Sequence, residues 1–128
     1  MALRAHAWGL LCAVAAVELL VGHAVWLRRD DFVGRFVDTG DDLAGEGMLA
    51  WVKWPAVVRA LDAGRLGCSG SEAGVLRIAA SLAEGVPLDL GDAVSGLDAV
   101  NGVLVARAVL AAGGHHAAAG DLAGRVCR

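Results

Sequence analysis

Cys68 is the best candidate for a nucleophile in this sequence, because it stands just before the predicted start of a helix. The dipole of a helix can lower the pKa of a thiol at that position. Cysteine chemistry also needs a general base, and no short motif ties a histidine to Cys68. We therefore assign no catalytic residue and keep a small enzyme that uses Cys68 as the third of three functional hypotheses.

The same segment, GCSGS at residues 67–71, would present backbone N–H groups at a helix start, which is a geometry that binds anions. No lysine or arginine follows at the spacing of a phosphate-binding loop. Helix capping alone explains such a glycine-serine turn, so the sequence predicts no cofactor.

Residues that could bind a metal are present but poorly spaced. The adjacent His115 and His116 point in different directions on any regular backbone, so they need a distant third ligand. The acidic segment 38–47 lacks the spacing of a calcium loop. The cysteines form an odd set without a CxxC pair, at Cys12, Cys68 and Cys127. We predict no metal site and no disulfide, and a reducing cytoplasm suits these thiols best.

The stretch after Cys68 predicts its own helix. Ser69 and Glu72 have the spacing of a capping box, in which each side chain accepts from the other's backbone N–H. A helix should therefore begin near Gly70. Apolar residues then recur at three- and four-residue steps as far as Glu84, and Gly85 can take the left-handed conformation that ends a helix.

Three further helices are predicted near this one. Asp89 and Asp98 are placed to cap two of them, and Pro55 suits the first position of another. Their short connections require neighbouring helices to share a core. The sequence therefore predicts an all-α fold, a single small helical bundle of about five helices with one long apolar N-terminal helix. Trp51 and Trp54 are expected to anchor the helix at Pro55 to that core.

That N-terminal helix contains a nearly continuous apolar run over residues 8–27, about long enough to cross a bilayer. Glu18 opposes a membrane span, because an ionised carboxylate at bilayer depth is costly. We favour a core helix that is buried on most sides. Glu18 should then reach Arg77 or Arg107, or lie at the rim of the helix face with its carboxylate in water.

We expect one domain over residues 1–114. Its N-terminal helices should occupy residues 5–37, an acidic solvated loop residues 38–47, and a C-terminal helical module residues 55–114. Residues 115–128 are small and polar enough to form a loose tail. The stretch 48–54 can be extended or helical.

Composition excludes one class of function. The chain has 128 residues, enough for one core, and its formal net charge is −3. A nucleic-acid-binding face needs a basic stripe, and none is visible, so we predict no nucleic-acid partner. One lysine beside ten arginines is typical of a GC-rich genome and suggests a bacterial source.

Several strings resemble a family of small helical proteins of unassigned function from high-GC Gram-positive bacteria. They are AAVELLVGH with WLRRDDFV, WPAVVRALDAGRLGCS, LRIAASLAEGVPLDLGDAVSGLDAVN and AVLAAGGH, and they cover the chain from about Ala15 to His115. The resemblance implies an intact intracellular domain and no activity, cofactor or partner.

Two functional hypotheses rank ahead of an enzyme that uses Cys68. The first is a small non-catalytic helical module in the cytoplasm that regulates or binds a protein partner, or associates with itself. The second is a protein attached to the cytoplasmic membrane and anchored by residues 8–27.

Overall fold

The computed structural model describes the backbone of residues 2–41 and 48–126, and the side chains of residues 10–38 and 51–122. This part of the chain is mostly helical, which confirms the predicted all-α class. It also contains a two-stranded hairpin that we did not predict. The elements are α1 (Ala2–His23), a 3-10 turn (Trp26–Arg28), α2 (Asp30–Phe36), β1 (Val37–Asp41), β2 (Met48–Val52), α3 (Trp54–Asp62), α4 (Gly70–Glu84), α5 (Leu90–Ser95), α6 (Ala99–Ala112) and α7 (His116–Val126).

The capping box predicted for α4 is confirmed. Ser69 Oγ accepts a hydrogen bond from the backbone N–H of Glu72 at 3.1 Å, and Glu72 Oε1 accepts one from the N–H of Ser69 at 2.8 Å. The helix ends at Gly85, whose φ of 67° is the left-handed conformation that glycine adopts without strain. Local sequence therefore determines both ends of α4.

The two aspartate caps are confirmed as well. Asp89 accepts from the N–H of Asp92 at the start of α5, and Asp98 accepts from the N–H of Asn101 at the start of α6. Asn101 is buried, and its side-chain amide donates to Ser71 Oγ at 2.8 Å. This bond ties the first turn of α6 to the first turn of α4.

Helix α4 lies at the centre of the core, as predicted. It contacts α3 and α6, and also α1 and α5. Its buried positions carry small and medium side chains, so the helices approach closely. The largest fully buried side chains are Trp26, Phe32, Leu20, Leu76, Val57 and Val75.

Trp26 fixes the junction between α1 and α2. Its side chain is fully buried, its ring lies 5.4 Å from that of Phe32, and its Nε1 donates to the carbonyl oxygen of Glu72. The Arg29 guanidinium lies 4.9 Å above the Trp26 ring and forms an ion pair with Asp31. The predicted charged junction is therefore packed around an aromatic side chain.

The hairpin corrects the prediction of a solvated loop over residues 38–47. Residues 38–41 belong to β1, which pairs antiparallel with β2 from Val37↔Val52 to Asp41↔Met48. Val52 is buried, and Lys53 forms an ion pair with Asp38 at 3.3 Å. Pairing between distant segments outweighs the acidic, glycine-rich composition. The rest of the predicted loop, residues 42–47, lies outside the described residues.

The C-terminal segment also differs from its prediction. In place of the loose tail expected over residues 115–128, His116–Val126 forms α7. The helix packs against α6 and buries Ala119. A run of alanines has the highest helix propensity, which favours a helix once α6 offers a surface to pack on.

Candidate functional site

Cys68 does not have the setting of a reactive thiol. Its side chain is exposed just before α4, but partial desolvation raises the pKa of the thiol, and the nearby Glu72 carboxylate raises it further. Arg29 and Arg77 lower the pKa by less. The pKa of this thiol is therefore raised and not lowered, since burial and the capping carboxylate at the same helix end both disfavour the thiolate.

Metal ligands do not come together in the side chains that the structure describes. No group of three or more histidine, cysteine, aspartate or glutamate residues there could hold an ion. His115 and His116 are both exposed, with His116 at the start of α7.

Helix α1 has two opposite faces, and both are apolar. One face is buried in the core and consists of Ala15, Ala16, Leu19 and Leu20. The other face carries Leu10, Val14, Val17 and Val21, which are 58%, 44%, 44% and 59% exposed. We call these four residues the outer face of α1. The prediction of a helix buried on most sides is wrong, since the core covers α1 from one side only.

The outer face has the geometry of a helix-pairing seam. Its residues follow one another at steps of four, three and four, which is the spacing of the inner positions of a coiled coil. A surface of this pattern buries its side chains when a second helix lies alongside at a small angle. This seam could not be predicted from the sequence. The positions of α1 that face the core are as apolar as those of the seam, so the helix shows no clear amphipathic period.

Within residues 2–41 and 48–126, no helix is sufficiently long and apolar to cross a bilayer. Glu18 is exposed, so of the environments predicted for it the wet rim is the one observed. Arg77 instead pairs with Asp62 at 2.8 Å.

A groove of about 490 Å³ borders the outer face of α1. Its floor is α6, with Leu104 and Ala108, and its walls are α1 and α7. Charged or ionisable side chains come from all three helices and are Glu18, Arg107 and His116. Sequence reasoning placed Glu18 beside Arg107 as one alternative, but it missed α7 and therefore missed the groove.

A polar cluster surrounds His23 at the C-terminal end of α1. His23 Nδ1 is buried and has no hydrogen-bond partner among the described residues. Desolvation lowers the pKa of His23, while the carboxylates of Glu72 and Asp98 oppose that shift less strongly. The side chain of His23 thus lies near the carboxylates at the starts of α4 and α6.

Known proteins offer no assignment for these features. No family model matches the chain, and searches of curated proteins and of solved structures return no match. The family resemblance described above therefore stays a prediction, and the function has to be inferred from the surface itself.

Proposed function

We propose that the protein is a non-catalytic helical module that associates with a second copy of itself through the outer face of α1. The observation that carries this proposal is the exposure of Leu10, Val14, Val17 and Val21 in one row on one helix. Rows of large apolar side chains are costly to leave in water and mark interaction surfaces.

A second copy of α1 is the partner that fits this row best. Heptad lettering puts Leu10 and Val17 at d positions and Val14 and Val21 at a positions. In parallel coiled coils, valine at a with leucine at d favours two strands, and the pair formed by Leu10 and Val14 meets this pattern. A symmetric dimer also needs only one surface, because the same patch serves both subunits.

Most of the remaining positions of α1 agree with this pairing. In the same lettering, Ala15, Ala16 and Leu19 occupy the b, c and f positions, which point away from the seam and into the protein's own core. Leu20 occupies a g position beside the seam, but its side chain is buried in the core. Glu18 occupies an e position, where a parallel partner presents the uncharged Ala13 at g. No repulsion between like charges opposes the dimer at this site.

The protein also has a proposed architecture, cellular compartment and source. We infer one helical bundle, with α1 shared between its core and the dimer, acting in the cytoplasm of a high-GC bacterium. Two observations on the described side chains support a reducing compartment: Cys12 and Cys68 do not form a disulfide there, and Cys68 is exposed. The arginine-rich, lysine-poor composition supports the source.

Sedimentation equilibrium of the purified protein tests the association. The unmodified chain should sediment as a dimer at tens of micromolar. Val17→Lys should raise the dissociation constant at least tenfold, because dimerisation would bury an unpaired charge. Val109→Lys is the matched control, since Val109 is 53% exposed on α6 and lies outside the outer face.

Other outcomes would identify a different partner. A monomer at all concentrations overturns self-association. A monomer that co-sediments with phospholipid vesicles would support the membrane hypothesis instead, and equal effects of Val17→Lys and Val109→Lys would show that the outer face has no special role.

A further inference from the structure

Small residues line the walls of the groove between α1, α6 and α7. Gly22 and Ala15 lie on the α1 side, and Ala119 and Gly120 lie on the α7 side. A Cβ atom added to Gly120 would meet nothing within 4 Å, so the space beside it is open. The short side chains of these walls leave the space above α6 open.

The size and lining of this cleft suit a small ligand. Its volume of about 490 Å³ falls in the range of small-molecule sites, which is roughly 300–1,000 Å³. Such sites combine an apolar interior with a few polar groups that orient the ligand. Here Leu19, Leu104 and Ala108 supply the apolar interior.

The charged groups at the rim have opposite signs and come from different helices. Glu18 belongs to α1 and Arg107 to α6, and both side chains are exposed. Among the described side chains, the ion pairs are Arg29–Asp31, Lys53–Asp38 and Arg77–Asp62, so Glu18 and Arg107 are not paired with each other. His116 adds a third polar group from α7.

We propose that this groove binds a small zwitterion with an apolar side chain, of the size of a free amino acid or a dipeptide. Arg107 binds the ligand carboxylate, because a guanidinium presents two parallel N–H donors to it. Glu18 binds the ligand ammonium, and the apolar side chain lies on Leu104 and Ala108. This inference does not depend on dimer formation, although Val21 belongs to both surfaces.

Charge complementarity decides between this ligand and simpler ones. An apolar acid would pair with Arg107 but gain no interaction with Glu18, and an apolar amine would do the reverse. A zwitterion satisfies both groups. Because each charge-assisted hydrogen bond is stronger than a neutral one, loss of either should weaken binding about tenfold or more.

Isothermal titration calorimetry and amide NMR shifts on the full chain would test the site. The probes are L-leucine, the dipeptide L-leucyl-L-leucine, 4-methylpentanoate and isopentylamine. We expect at least one of the two zwitterions to bind at least tenfold more tightly than the acid or the amine. Comparison of L-leucine with the dipeptide distinguishes an amino-acid ligand from a peptide ligand.

Variants at the rim and in the wall of the groove would show whether the ligand binds there. Arg107→Gln and Glu18→Gln should each weaken zwitterion binding about tenfold or more, whereas Arg77→Gln, an arginine outside the groove, should leave it unchanged. Gly120→Phe should fill the groove and abolish binding. Gly34→Phe is its control, because a Cβ at Gly34 also meets nothing within 4 Å and Gly34 lies on α2.

The inference is overturned if neither zwitterion binds at millimolar concentration, if the acid alone binds as tightly, or if the rim variants have no effect. Sedimentation of the same samples separates this result from the proposed function. A monomer that binds the zwitterion would leave the groove assignment intact and reject the dimer, and a dimer that binds none of the probes would do the opposite.

Discussion

Val17 and Leu19 are two residues apart on α1 and face opposite directions: Val17 is 44% exposed, while Leu19 is 3% exposed. The same helix therefore contributes one apolar face to the core and presents another to the surroundings. Because the core satisfies only one of them, the second is available for association. This two-sided helix is the basis of the proposed function.

Removal of the serine cap should destabilise α4. Ser69→Ala deletes the oxygen that accepts from the N–H of Glu72, and the loss of such a cap costs about 1 kcal/mol of the free energy of unfolding. Urea denaturation would measure the change. Ser81→Ala, in the last turn of the same helix, is the control and should not lower stability. Equal stability of Ser69→Ala and the unmodified protein would show that the capping box does not form.

The end of α1 contains a strained residue that glycine should relieve. Ala24 has a φ of 65°, in the left-handed region that costs a residue with a Cβ roughly 1–2 kcal/mol. Ala24→Gly should raise the free energy of unfolding by about 0.5–1 kcal/mol, since the added flexibility of the unfolded chain offsets part of the gain. Ala63→Gly, at a helix end with a φ of −83°, should lower it. A loss of stability in Ala24→Gly would contradict the backbone conformation at this position.

Stability should fall in mild acid because of His23. Its folded-state pKa is lowered by burial, so the folded protein binds the proton less readily than the unfolded chain, whose histidine titrates near 6.5. The contribution of neutral His23 to the free energy of unfolding is complete above pH 6.5, and it is lost as the pH falls from 6.5 towards the lowered pKa. Urea unfolding between pH 7.5 and 5 should show the decline.

The control for this pH dependence is His23→Gln, which should flatten the slope in that range. The Glu72 carboxylate accepts a hydrogen bond from the backbone N–H of Ser69, which lowers the pKa of Glu72. Protonation of Glu72 therefore causes a separate loss of stability, but only below pH 4.5, the ordinary pKa of a glutamate. A slope that persists unchanged in His23→Gln would assign the effect to other groups.

Alkylation should distinguish exposure from reactivity at the cysteines. Cys68 is exposed and Cys12 is half-buried, so iodoacetamide should modify Cys68 before Cys12. The raised pKa of Cys68 should nevertheless make it slower than a free thiol at pH 7. Glu72→Gln should accelerate the reaction, because it removes a carboxylate while keeping a capping side chain. Mass spectrometry of the modified peptides would give the rates, and faster modification of Cys12 would contradict the burial described here.

Local signals in the sequence predicted the helices whose ends are capped. Ser69, Asp89 and Asp98 cap as expected because each cap depends only on residues a few positions away. The central position of α4 in the core could also be predicted from the sequence, since the connections between α4 and its neighbouring helices are short.

The features that depend on distant contacts were not predictable in the same way. The pairing of Val37 with Val52 joins segments whose sequences do not specify a hairpin, and Ala119 is buried only because α6 supplies a surface. Trp51 was expected in the core with Trp54, but it is 49% exposed on the hairpin. The outer face of α1 could not be separated from the inner one, because leucine and valine on the outer face are as apolar as alanine and leucine on the inner face.

Disulfide formation through the seam would test the self-association of α1 most directly. Val14→Cys is introduced into a chain whose native cysteines are replaced by alanine, and the protein is oxidised at low concentration. A parallel dimer places the two copies of position 14 opposite each other, so a covalent dimer should form in high yield. Val109→Cys in the same background should remain monomeric. No covalent dimer from Val14→Cys, or equal yields from the two variants, would contradict association through the outer face of α1.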